Sequence, residues 1–189
     1  MDADAFKIVT KAIVERLPGD PDTVHVGPLD DADAKSKDLV LFLYRVAINP
    51  DLRNRPREVR PLASNDGGAN MPPPIEGALP FDLFYILSAS PSDAGDDLDG
   101  LANLGRAIQS LCDEPILFGP PVRGEIVRVS LDSVTTEELN RIWSLFPTVN
   151  YRTSVVLLAT PVWIDPARRR ERGEPVVSES YDVGPPAVA

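Results

Sequence analysis

The chain of 189 residues is 43% hydrophobic and 25% charged, which excludes wholesale disorder and leaves room for one ordinary packed domain. Its formal charge of −10 disfavours phosphate backbones and anionic lipid as partners, and no stretch reaches the roughly 18 apolar residues of a membrane span. The single cysteine, Cys112, excludes an intramolecular disulfide, and Asp2 and Asp4 stand where a signal peptide needs basic residues, so a reducing, cytoplasmic setting is expected.

Phe6, Val9, Ile13 and Leu17 recur at helical spacing and predict a first helix that ends at Leu17-Pro18-Gly19. Thr23 to Val26 reads as a short strand, followed by an acidic connection through Asp38. Leu39 to Ile48 is apolar at nearly every position, which predicts a central strand covered on both faces by helices or a neighbouring subunit. Leu79 to Ala89 alternates, with Phe81, Leu83, Tyr85 and Leu87 on one face and Asp82, Phe84, Ile86 and Ser88 on the other. Asn49 to Ala78 joins these strands and is far too long for a hairpin turn.

The next helix spans about Asp97 to Cys112, with Leu98, Leu101, Leu104, Ile108 and Leu111 as its stripe and acidic residues at the favourable end of its dipole. Pro115 to Pro121 reads as an apolar loop and Glu125 to Leu131 as a strand. Thr135 and Glu138 have capping-box spacing and open a third helix lined by Leu139, Ile142, Trp143 and Phe146. A last strand, Tyr151 to Ile164, is interrupted by Pro161, which predicts an edge position or a bend. These elements predict an α/β (α+β) fold with a mixed, largely antiparallel sheet packed against about three helices, not a doubly wound dinucleotide fold. Residues 1–165 are expected to form the domain, with the 49–78 loop as an insertion, and 166–189 a tail without periodic pattern.

The chemical inventory is thin. His25, the single histidine, has no nucleophile or second metal ligand near it in sequence and reads as a partly buried or surface residue, a protonation switch being the alternative. Cys112 reads as a small apolar residue at the end of a helix stripe. No nucleophile elbow, P-loop or dinucleotide fingerprint occurs, and aligning Gly100 with the turn of a calcium loop puts Gly95 and Arg106 at ligand positions, so neither cofactor nor metal is expected. The arginines stand out instead: residues 52–61 carry a charge of +3, and Arg53, Arg55 and Arg57 alternate, which an extended chain would place on one side. The segment is either an ordinary solvated loop or an arm that docks on an acidic partner through guanidinium–carboxylate pairs.

Four blocks bring a family into view. Leu39-Val40-Leu41-Phe42-Leu43-Tyr44-Arg45-Val46 followed by Asn49-Pro50-Asp51-Leu52-Arg53-Asn54, then Leu79 to Leu87, Leu104 to Ile108, and Glu138 to Ser144 with Tyr151 to Val155 resemble, in order, the cap or tail-terminator proteins of extracellular contractile injection systems. The resemblance covers roughly residues 5–165. It implies a phage tail-terminator-like fold and a non-enzymatic role: a homo-oligomeric, hexameric ring that closes the inner tube and sheath at the end distal to the baseplate. Assembly is then expected in the bacterial cytoplasm, as part of a phage-tail-like particle. On this reading the inner tube protein and the sheath protein are the partners, and Arg53, Asn54, Arg55, Arg57 and Arg60 are the candidate contact residues. A neck or tail-completion adaptor, or a small hydrolase or ligand-binding domain, are the alternatives.

Overall fold

Strands form where β-branched and aromatic residues concentrate: β1 (Val24–Val26), β2 (Leu39–Ile48), β3 (Leu79–Ala89), β4 (Ile116–Phe118), β5 (Ile126–Asp132) and β6 (Ser154–Ile164). They make one sheet in the order β1-β2-β3-β6-β5-β4, in which β1 runs parallel to β2 and every other pair is antiparallel. Three α-helices accompany it: α1 (Ala5–Arg16), α2 (Asp97–Asp113) and α3 (Thr136–Trp143). The computed structural model describes residues 1–58, 74–90 and 97–167; Arg60, half of the predicted 49–78 loop, Asp93, Asp96 and the tail from Arg168 lie outside the described residues.

The two faces of β3 segregate as its alternation predicts. Leu83, Tyr85 and Leu87 join Leu41, Val127, Val129, Leu157 and Ala159 beneath Val9, Ile13 and Leu17 at α1 and Leu104, Ala107 and Leu111 of α2. Leu83, Leu87 and Leu157 are fully buried, each contributing about 1.5–3 kcal/mol of transfer free energy. Ile86 points the other way and packs with Leu29, Val40, Val156 and the α3 side chains Ile142 and Trp143. The capping box is present: Thr135 Oγ1 accepts from Glu138 N–H (3.2 Å) while the Glu138 carboxylate accepts from Thr135 N–H (2.9 Å). Those hydrogen bonds hold the Glu138 carboxyl below its ordinary range.

Tyr85 crosses the first core to reach α1. The Thr10 hydroxyl donates its one proton to the Phe6 carbonyl (2.7 Å), so across the 2.9 Å contact with Thr10 Tyr85 is the donor. Burial pushes the Tyr85 phenol up to about 12 from its ordinary 10.0. The folded state therefore favours the protonated phenol. Its contribution is complete below the unfolded value of 10.0 and is lost as pH rises towards about 12. Tyr85→Phe is expected to cost about 1 kcal/mol at neutral pH and to flatten the fall of melting temperature above pH 10; equal slopes in wild type and variant would contradict this account.

Four expectations need correction. Pro115 to Pro121 is not merely a loop: β4 lies inside it, paired with β5 from Ile116 opposite Arg128 to Phe118 opposite Ile126. Of the two readings of Pro161 the bend holds and the edge does not: β6 sits between β3 and β5, and Pro161 falls at the register irregularity opposite Phe81 and Leu83, where pairing with β5 has stopped at Thr160, so its missing N–H leaves no ladder bond unmade. β2 is covered on both faces from Leu39 to Tyr44, fully over Leu39 to Leu41 and partly beyond, and its second half is not, leaving Val46 41% and Ile48 49% exposed. The α2 stripe is buried from Leu104 to Leu111, whereas Leu98 and Leu101 are exposed, and Cys112 is exposed rather than packed.

Candidate assembly surfaces

Asn49 ends β2 and starts the arginine segment. Its side-chain oxygen accepts from the N–H groups of Asp51 and Leu52, both at 3.1 Å, and its amide donates to Asp82 Oδ1 (3.0 Å) and Thr160 Oγ1 (3.3 Å). Asp82, the polar interruption of β3, is thus the acceptor that holds this turn to β3 and β6, the Thr160 hydroxyl donating to it as well. Arg53 N–H then bonds the Asn49 carbonyl (3.1 Å) and Arg55 N–H the Leu52 carbonyl (2.9 Å), so the chain turns here instead of running extended.

That turn separates the arginines. Arg53, Asn54 and Arg55 are exposed. Arg57 is not: only 6% of it is exposed, and its guanidinium donates to Glu125, just before β5, and to Asp165, just after β6. Its backbone pairs antiparallel with Ile75, N–H to carbonyl in both directions at 2.9 Å. The expectation that Arg53, Arg55 and Arg57 share one exposed side is therefore corrected: two strand-end carboxylates draw Arg57 inward, where it closes the neck of the loop. Arg60 lies outside the described residues.

Two further surfaces were not singled out by sequence. On the sheet face that α3 covers near β2 and β3, the β4–β5 side carries exposed Ile116, Phe118 and Ile126 beside Arg128, and Phe118 is 68% exposed. The second is the outer side of β2. β1 accompanies β2 only from Leu39 to Leu41, so among the described residues no strand flanks Leu43 to Ile48 on that side. Arg45, on this stretch, places its guanidinium 4.7 Å from the centroid of the Phe84 ring.

His25 Nε2 lies 3.4 Å from Asp31 Oδ2, over Gly27, where a Cβ would come within 2.7 Å of the ring nitrogen. Among the described residues no group of three or more His, Cys, Asp or Glu is placed to hold a metal ion, and no helix is long and apolar enough to cross a membrane.

Among the described residues the mixed sheet carries a helical pair on one face and a single short helix on part of the other, the fold class of the terminator proteins compared next. The chain belongs to the Pvc16 N-terminal domain family, whose model matches residues 7–178. Its fold is similar to that of a sheath/tube terminator from an extracellular contractile injection system in the extended state, with a TM-score of 0.56 at 17% identity over 97% of this chain. It is likewise similar to the tube-terminating cap of the anti-feeding prophage, with a TM-score of 0.57 at 17% identity over 97% of this chain. The chain spans 63% and 62% of the length of those two proteins. No curated protein sequence matches it.

Proposed function

We propose that this chain is a structural cap of a contractile injection particle, assembling into a closed, hexameric ring that ends the inner tube and sheath and stops their polymerisation. The observation that carries this reading is the fold it shares over 97% of its length with a sheath/tube terminator and with a tube-terminating cap. Free edges and uncovered apolar faces fit a protein whose surfaces are completed by assembly, since a lone soluble domain normally covers or blunts them. One face of the ring reproduces the subunit contacts of tube and sheath, the opposite face lacks the complementary surface, and growth has no further template. Assembly takes place in the producing cell's cytoplasm, and the chain transforms no substrate.

The turn carrying Arg53, Asn54 and Arg55, with Arg60 beyond the neck, is the proposed contact with tube or sheath protein. Its root is rigid while its cations face outward, which suits charge complementarity with an acidic rim. Reversing Arg53, Arg55 and Arg60 to glutamate, with Arg57 left in place, is expected to preserve the melting temperature and to lower association with tube or sheath at least tenfold. Electron micrographs should then show particles of irregular length without caps. Capped particles of normal length from the triple variant would remove the arginines from the interface, and normal particles from cells lacking the chain altogether would remove the capping role.

A further inference from the structure

Apolar surface is exposed on both sides of the sheet. On the α3 side it is the β4–β5 patch, where Ile116, Phe118 and Ile126 are 44%, 68% and 45% exposed. On the opposite side it belongs to α2. The α2 residues that meet the sheet are Leu104, Ala107 and Leu111, and a second apolar stripe, Leu101, Gly105, Ile108 and Cys112, recurs beside them at spacings of four, three and four. Leu101 is 44% exposed, Gly105 and Cys112 are exposed, and among the described residues nothing stands within 4 Å of where a Gly105 Cβ would be. We propose that α2 of one copy of this chain lies across the β4–β5 patch of the next, a head-to-tail contact that forms the seam of the ring. This seam rests on the closed ring of the proposed function and supplies the two surfaces that close it.

Sidedness points to a second copy as the occupant. Through the pairs Ile116–Arg128, Arg128–Thr160 and Ser130–Leu158, the patch shares the sheet face of Leu158 and Phe84, whereas α2 packs on the face of Leu83, Tyr85 and Leu87. The two surfaces stand back to back in one subunit, so a copy seated through its α2 still offers its own patch to another. Such a contact repeats, and it closes into a ring when the rotation per subunit allows. Every patch is then used once, whereas a two-fold contact of either surface with itself would leave the other uncovered.

Shape is compatible. Neighbouring strands such as β4 and β5 lie about 4.8 Å apart, and a helix about 10 Å across covers both. Gly105, in the middle of the stripe, lets the helix backbone approach the sheet closely. Phe118 supplies the aromatic anchor, the kind of side chain that dominates the energy of an interface.

Charge sets the direction. Arg128, opposite Ile116, and Asp99, in the first turn of α2, are both exposed, and neither forms an ion pair among the described residues. Asp99 is the only charged residue from 99 to 105, and Arg106 comes next. Seating Asp99 beside Arg128 takes Arg106 about 10 Å further along the helix, while the reverse orientation brings two guanidinium groups together. An exposed pair adds little affinity; its effect is on orientation.

Sedimentation velocity of the full chain and of its Leu101→Glu and Phe118→Glu variants tests the seam. Wild type should form a closed oligomer, and each variant alone should associate at least a hundredfold more weakly. An equimolar mixture of the two variants should give a dimer and nothing larger, because the Leu101→Glu copy keeps its patch, the Phe118→Glu copy keeps its α2, and one sound seam is all the pair can make. That dimer also shows that both variants fold. Asp99→Arg and Arg128→Asp should each weaken association, and the two together should restore it. Wild-type oligomers that persist in both variants overturn the seam and leave the ring standing. A mixture that stays monomeric overturns the head-to-tail pairing, and a Phe118→Glu chain that keeps its oligomer but no longer binds purified tube or sheath protein assigns the patch to those proteins instead. A wild type that is monomeric at every concentration overturns the closed ring of the proposed function and its seam together.

Discussion

Replacing Arg57 by alanine is expected to cost about 2–4 kcal/mol and to lower the melting temperature on the order of 10 °C. The guanidinium is the shared partner of Glu125 and Asp165, and its removal leaves two carboxylates facing each other with side chains only 14% and 27% exposed. The Met1 ammonium, 3.2 Å from Asp165 and 3.9 Å from Glu125, keeps part of that charge compensated, which places the cost below the upper end for a fully orphaned buried pair. The variant Arg57→Met/Glu125→Gln/Asp165→Asn removes the charges together and should recover much of the loss. Thermal melts of the three proteins check this, and an Arg57→Ala protein as stable as wild type would show that the cluster contributes nothing.

The second large effect concerns α3. Trp143 is 6% exposed, fills the second core beside Ile86, Val156 and Phe146, donates its indole N–H to Ser154 Oγ (3.1 Å) and meets the Tyr151 ring edge-on at 5.3 Å. Trp143→Ala should destabilise by about 3–5 kcal/mol, since an eight-residue helix has little stability of its own and is held to the sheet by Trp143 together with Ile142 and Leu139. Trp143→Phe keeps most of the apolar volume but leaves the Ser154 hydroxyl without its donor, at about 1–2 kcal/mol. Urea titration read by far-UV and near-UV circular dichroism separates the cases. If the alanine variant unfolded at the wild-type midpoint, the second face of the sheet would be held by β2 and β3 alone.

Local signals located the elements whose formation is local. The ten-residue run from Leu39, apolar but for Arg45, and eleven alternating residues from Leu79 define β2 and β3 to the residue, and the Thr135–Glu138 pair marks the start of α3. What escaped depends on partners far along the chain. β4 is three residues framed by Pro115, Pro120 and Pro121, and is a strand only because β5 lies beside it. The interior position of β6 follows from which strands flank it, something its own composition does not encode. Periodicity carried the α2 stripe forward to Leu98 and Leu101, but it cannot say where the sheet beneath stops.

The arginine surface was legible in the same uneven way. A run of cations between two strands is visible in one line of sequence, and Arg53 and Arg55 are where such residues are expected. The burial of Arg57 was not visible, because the carboxylates that hold it stand 68 and 108 residues away. The exposed side chains of β4 and β5 escaped for a related reason: Ile116, Phe118 and Ile126 look like core residues until the helix that ought to cover them proves to sit elsewhere.

The mutual backbone bonds of Arg57 and Ile75 fasten together the two ends of the stretch between them. For a chain closed at such a crossing, loop-closure entropy by itself grows by only about 0.6 kcal/mol for each doubling of length. That shallow dependence makes the crossing a place to try insertions that retarget the subunit or carry a label.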